Sequence, residues 1–186
     1  MTLASLNLSN RPYPRSEPVS SLPHVWVGFL FAGAFLWAEI VEVANEDMIG
    51  PYTLAAALAG WAYWLFCVHR FHKILREISL DEEGDPTYRT TPWKAVGYHF
   101  VPIYSVVWIF KWPTDLVRYV NSHSSARMMS GGALGTFLFG ATLVVQLFDG
   151  AAGLAMIFGL GLYIASKLRQ AVLEYEQLRG AAEVFE

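Results

Sequence analysis

Residues 92–113 read Pro92-Trp93-Lys94-Ala95-Val96-Gly97-Tyr98-His99-Phe100-Val101-Pro102-Ile103-Tyr104-Ser105-Val106-Val107-Trp108-Ile109-Phe110-Lys111-Trp112-Pro113. How this run is read decides the fold. Val96–Trp112 is apolar over most of its length, yet it holds His99, Pro102 and Lys111, and Pro113 follows it. Pro102 lacks a backbone donor and its ring clashes one turn back, so it interrupts a helix. Its Trp and Tyr residues favour the headgroup level of a bilayer. The run is either a membrane span or an interfacial or re-entrant element that returns to its own side.

The flanking sequence decides between them. A membrane helix needs about 20 mostly apolar residues, and four segments meet or approach that: 25–44, 52–68, 133–148 and 151–166. A turn-forming stretch, 45–51, joins the first two. Asp149-Gly150, a tight turn signal, joins the last two. Short cytoplasmic loops carry the excess Lys and Arg. If the four clean segments span and 96–112 re-enters, all 13 Lys and Arg residues fall on one side. The other side then holds only Glu46, Asp47 and Asp149. If 96–112 also spans, Arg118, Arg127, Lys167, Arg169 and Arg179 cross over. The charge pattern therefore predicts an all-α integral membrane protein of two transmembrane hairpins. A Pro-broken aromatic element, 93–120, lies between them, and both termini face the cytoplasm.

Composition agrees. The chain has 186 residues, 54% of them hydrophobic and 16% charged. A soluble domain has roughly 45–50% and 25%. Mean hydropathy is +0.34. These values argue against a disordered chain, a coiled coil and a nucleic-acid binder, and a net charge of -3 gives no field to attract nucleic acid. A single cysteine, Cys67, excludes an intrachain disulfide framework. Residues 1–23 are polar, contain four prolines and read as a flexible tail without a cleavable signal. Residues 24–179 form one membrane domain, and 180–186 a second tail. The second span is expected to continue as a helix into the cytoplasm, because Phe71, Ile74, Leu75 and Ile78 keep a helical spacing. The fourth does likewise through Leu168, Val172, Tyr175 and Leu178. After Pro113, Thr114 or Asp115 is placed to cap a new amphipathic helix.

The run Gly97-Tyr98-His99-Phe100-Val101-Pro102, with Trp108, Pro113 and the amphipathic stretch after it, resembles the central signature of a bacterial family of small four-span membrane proteins, the domain-of-unknown-function family 4328. The resemblance covers roughly residues 52–178; Lys111-Trp112 departs from the pattern. It implies a membrane location and four spans, and it brings no activity.

Candidate chemistry is sparse. Glu39 and Glu42, three apart, are the only acids inside a span, which makes them candidates for an ion or proton site. They also lie near enough to Asn45 to reach outer headgroups. His69 and His72 share a helix face, and with His99 they offer weak metal or haem ligands. The basic surroundings of His69 and His72 read more simply as a juxtamembrane stretch facing anionic headgroups. Gly131-x-x-x-Gly135, Ala56-x-x-x-Gly60 and Ala155-x-x-x-Gly159 place small residues one turn apart, where helices approach closely, within the chain or between copies. The interface element contributes Gly97, His99, Pro102, Trp108, Lys111, Trp112 and Pro113. No catalytic constellation is visible, and no cofactor or resident metal is expected. The sequence thus points to a non-enzymatic scaffold, assembly or regulatory component of the cytoplasmic membrane. Its partners are anionic lipid and another copy or membrane protein. A small oligomeric transporter or channel component is the alternative, and a His-ligated metal or haem enzyme the third reading.

Overall fold

The computed structural model describes residues 19–44, 50–79 and 87–183. Residues 1–18 of the expected tail 1–23, the turn at 45–49 and residues 184–186 of the expected tail 180–186 lie outside them; within the first of these tails Ser20 donates its backbone N–H and hydroxyl to the Glu77 carboxylate. Among the described residues the chain is helical and contains no strand. We number the helices α1 (Gly28–Ala44, entered through a 3-10 turn at Val25–Val27), α2 (Pro51–Glu77), α3 (Pro92–Gly97, followed by a 3-10 turn at Tyr98–Phe100), α4 (Tyr104–His123), α5 (Gly131–Leu147) and α6 (Gly150–Glu183).

Three helices are long and apolar enough to cross a membrane: Val25–Ala44, Pro51–Glu77 and Gly150–Leu178. The fourth expected span is the shorter apolar helix α5, whose 17 residues extend about 26 Å at 1.5 Å per residue. Both predicted continuations occur: α2 runs unbroken to Glu77, and α6 to Glu183.

Local chemistry sets the ends. Pro51 opens α2 and Pro92 opens α3, where a missing N–H costs nothing. Thr91 caps α3 by accepting from Lys94 N, and Ser130 caps α5 by accepting from Ala133 N. Asp149 caps α6, its carboxylate accepting from Ala152 N at 2.8 Å. The helix before α3 ends at a turn held by Ser79. Its carbonyl accepts from Thr87 N and Thr87 Oγ1, and its hydroxyl accepts from Tyr88 N.

Successive helices run antiparallel. Val25 packs near Gly161 and Phe35 near Gly150, so α1 and α6 oppose each other. Gly153 faces Ala141 and Val145, which places α5 against α6 in the opposite sense. The α4–α5 pair is the tightest: a β-carbon at Gly131 would sit 2.3 Å from Thr114 Cα, and one at Gly135 2.9 Å from Phe110 Cα. Only glycine allows that approach. The core between the helices is dominated by Trp64, Phe71, Trp108, Trp112, Leu134, Phe158 and Leu168, all buried.

Residues 92–123 form a hairpin beside α2. Trp93 meets His69 (ring centroids 4.8 Å apart) and His99 meets Trp61 (6.0 Å), so the ascending arm climbs α2 from residue 69 to residue 61. Eight helical residues correspond to about 12 Å, and Trp61 lies halfway along the apolar stretch 52–68. The chain then turns. On the descending arm, Trp112 packs between Trp64 and His72, and Tyr119 Oη lies 3.5 Å from Ile78 O. The hairpin therefore reaches the middle of α2 and comes back to the end where it started.

Two details of this hairpin differ from the sequence reading. The chain breaks near Pro102, as expected, but through a γ-turn centred on Ile103 (φ 65°, ψ −49°), with Tyr104 N donating to Pro102 O at 2.7 Å. The second expected break, at Pro113, is absent: α4 runs straight through it. The carbonyl that Pro113 leaves without an α-helical donor is Ile109 O, which lies against Gly135 of α5. Thr114 does not cap; its hydroxyl donates back to Phe110 O at 2.7 Å. Asp115 pairs with Lys111 at 3.0 Å.

Candidate functional site

The polar residues of interest fall in two places. One is the end of the bundle where α1 meets α2. Glu42 is buried, 4% exposed, and its carboxylate accepts from Gly50 N (2.8 Å), Tyr52 N (2.8 Å), Thr53 N (3.2 Å) and Thr53 Oγ1. These are the orphan donors at the start of α2, and an anion there also complements the helix dipole. Glu39 is half-buried and feels the charge of Asp149, itself the cap of α6. Of the two sequence candidates, then, Glu42 is fully engaged in holding a helix end. Glu39 sits near a second acid.

The other place is the interior between α2 and the hairpin. His72 lies on the face of α2 that carries Val68, Phe71 and Leu75, the inward stripe, and is wholly buried. His69, one turn away, is half-buried and packs on Trp93. Although three apart on α2, the two rings enter different environments. His99 takes a third: its Nδ1–H donates to Ala95 O at 2.8 Å. Among the described residues no group of three His, Cys, Asp or Glu gathers as metal ligands do.

A polar column runs through this interior. Tyr88 Oη lies 2.8 Å from His72 Nδ1, with the two rings stacked. Burial, and then the negative charge of Asp115, push the Tyr88 phenol above its ordinary range, so it is a neutral hydroxyl. The His72 and Trp112 rings meet in a T-shaped arrangement at a centroid separation of 5.7 Å. Trp108 donates its indole N–H to Ala95 O at 2.9 Å, the carbonyl that also serves His99. Two buried atoms in the column have no hydrogen-bond partner: His72 Nε2 and Trp112 Nε1. Trp112, but not His72, also lines a small cavity together with Trp61, Trp64, His99, Leu138 and Thr142.

The remaining interface residues are dispersed. Trp108 and Pro113 are buried, Pro102 and Gly97 are exposed at the hairpin, and Lys111 points outward to Asp115. Tyr88 and Ser79 carry the column yet had no signal in the sequence. Sixteen residues and an acidic loop separate Tyr88 from His72, and no periodicity relates them. Comparison of the chain with known protein families, with curated proteins and with solved structures finds no match.

Proposed function

We propose that this chain is an integral protein of the cytoplasmic membrane that works as a non-catalytic scaffold, assembly or regulatory component. Four helices span: α1, the first two-thirds of α2, α5 and the first half of α6. Residues 92–123 re-enter from the cytoplasmic side, and both ends of the chain face the cytoplasm. An apolar girdle supports the membrane reading. It is exposed and runs through Leu30, Trp37, Ile40 and Val43 of α1, Leu54 and Leu58 of α2, Phe137 and Leu147 of α5 and Leu162 of α6. Soluble monomers rarely expose apolar surface this continuously. The basic residues Arg70, Lys73 and Arg76 of α2 extend beyond the girdle and meet anionic headgroups. Membership of family 4328 belongs to the same proposal and rests on the run Gly97–Pro102 with Trp108 and Pro113.

The observation that carries the non-catalytic reading is the use made of the ionisable side chains. Glu42 and Asp149 cap helices, Glu174 holds the Ser125 backbone and hydroxyl, and His99 is tied to a backbone carbonyl. Each is occupied in fixing the chain. In a bacterial membrane fraction the protein should resist alkaline carbonate extraction and yield to detergent. Reconstituted in liposomes, it should pass no ions. Release by carbonate would sink the membrane assignment. Ion flux abolished by Glu39→Gln would replace the scaffold with the transporter alternative.

A further inference from the structure

α4 and α5 pack antiparallel in a fixed register, Thr114 against Gly131 and Phe110 against Gly135. Carried seven residues further along both helices, that register sets the turn at Ile103 level with Thr142. A small cavity marks this level, lined by Trp61 of α2, His99 of the hairpin, Leu138 and Thr142 of α5 and Ile157 of α6. The hairpin thus wedges between α2 and α5 over one half of the bundle and stops there. On the far side α1 and α6 pack directly, Gly28 on Phe158 and Phe35 on Gly150. Above the turn, the flanks that held the hairpin continue without it. Leu54 precedes Trp61 by seven residues, two turns of α2, and Leu58 lies between them on that flank. Both leucines are exposed, Leu58 at 60%. Gln146 follows Gly135 by eleven residues, three turns of α5, and is exposed as well. Ile103, 86% exposed, is the floor of the slot between these two flanks.

We propose that this slot holds one acyl chain of an outer-leaflet phospholipid whose headgroup carries an ammonium group. The inference rests on the membrane reading above. Ten residues of α2 separate Trp61 from Pro51, about 15 Å at 1.5 Å per residue. That is half of the ~30 Å hydrocarbon core, and it suits a chain of one leaflet. A spanning helix of a partner needs twice that depth, and the turn closes the slot beneath it. The walls offer little to water. Leu54, Leu58 and Ile103 are apolar, and the Thr142 hydroxyl donates to Leu138 O of its own helix at 2.8 Å. The turn pairs its backbone internally, Tyr104 N donating to Pro102 O, Ser105 N to Val101 O and Val106 N to Ile103 O. The slot is also continuous with the exposed girdle, to which Leu54, Leu58 and Leu147 belong. Polarity returns only at the mouth, with the Gln146 amide and, one turn further, Asp149. Among the described residues the outer ends of α1, α5 and α6 carry Glu39 and Asp149 but no Lys or Arg. Asp149 Oδ1 accepts from Ala152 N, and the carboxylate keeps a charge that attracts an ammonium group and repels an anionic headgroup.

The test uses the full chain in maltoside micelles and a phosphatidylethanolamine with a photoreactive diazirine at the end of one acyl chain. Cross-linked peptides are read by mass spectrometry. Labelling around Ile103 and Thr142 should saturate. Unlabelled phosphatidylethanolamine should displace it at a several-fold lower concentration than phosphatidylglycerol does. Asp149→Asn, which keeps a capping side chain, should erase that preference. Leu58→Trp fills the slot from an exposed position and should remove the labelling at Ile103 and Thr142. Leu36, on the exposed face of α1, should stay labelled in the same variant. Labelling of Ile103 that does not saturate and never exceeds that of Leu36 would overturn the proposal. Equal displacement by the two lipids would overturn the headgroup assignment. A chain labelled nowhere, Leu36 included, would sink the membrane assignment itself and this inference with it.

Discussion

Glu42 shows how far a single residue can be read from its neighbours in sequence. An acid inside an apolar helix advertises function, and the spacing to Glu39 strengthened that signal. What the sequence concealed was the geometry of the connection to α2, which brings the start of that helix onto the carboxylate. Glu42→Gln keeps one acceptor but presents an NH₂ group to backbone donors. It should lower stability by about 1–3 kcal/mol, read as a lower midpoint in thermal unfolding of the detergent-solubilised protein. Glu39 makes none of these capping contacts, so Glu39→Gln should leave the midpoint unchanged. Equal losses from the two variants would contradict the capping role. His72 teaches the same lesson. Its inward position follows from the stripe of apolar residues on α2, but its partner Tyr88 does not. Tyr88→Phe leaves His72 Nδ1 unpaired in the core, and a loss of about 1–3 kcal/mol is expected. Phe at 88 as stable as Tyr would show that the contact contributes nothing.

At the level of elements, the length of the apolar runs located α1, α2, α5 and α6, and apolar residues at helical spacing located the outward continuations of α2 and α6, because burial at 3.6-residue spacing leaves a mark in the sequence. The breaks were harder. Proline at 102 and at 113 looks alike in sequence, yet one ends a helix and the other lies inside one. The difference is tertiary: Gly135 offers a neighbour for the Ile109 carbonyl, and Thr114 bonds to Phe110 O. The turn itself is strained. Ile103 holds a positive φ that a β-branched residue rarely adopts, and its side chain is exposed. Ile103→Gly should therefore stabilise the hairpin, by up to about 1–3 kcal/mol, whereas Ile103→Val should not. The small-residue motifs also divide. Gly131 and Gly135 accommodate α4, while Gly159 faces open space. Gly131→Ala forces backbone apart and should cost about 1–3 kcal/mol. Gly159→Ala should be neutral or better in unfolding experiments. The reverse order would mean that α4 and α5 do not pack as described.

For the whole molecule, the central claim is that the aromatic element between the two helical hairpins turns back at mid-depth. Arithmetic on charge points in the sequence to a return to one side, since an even number of crossings keeps all 13 Lys and Arg residues together, and it leaves the element interfacial or re-entrant. The folded chain supports it through geometry, with Trp93 beside His69, His99 beside Trp61 and Trp112 back beside His72. The polar column was illegible in the sequence because its members come from α2, α4 and a loop, assembled by packing alone. Sidedness tests the claim most directly. Single cysteines at Lys94, Ser125 and Phe148, all exposed, would be introduced in a Cys67→Ala background and probed with a membrane-impermeant maleimide on intact spheroplasts and on inverted vesicles. Lys94→Cys and Ser125→Cys should react only in inverted vesicles, and Phe148→Cys only in spheroplasts. Labelling of the 94 and 125 positions from opposite sides would make the element a fifth span and contradict the four-span, re-entrant architecture.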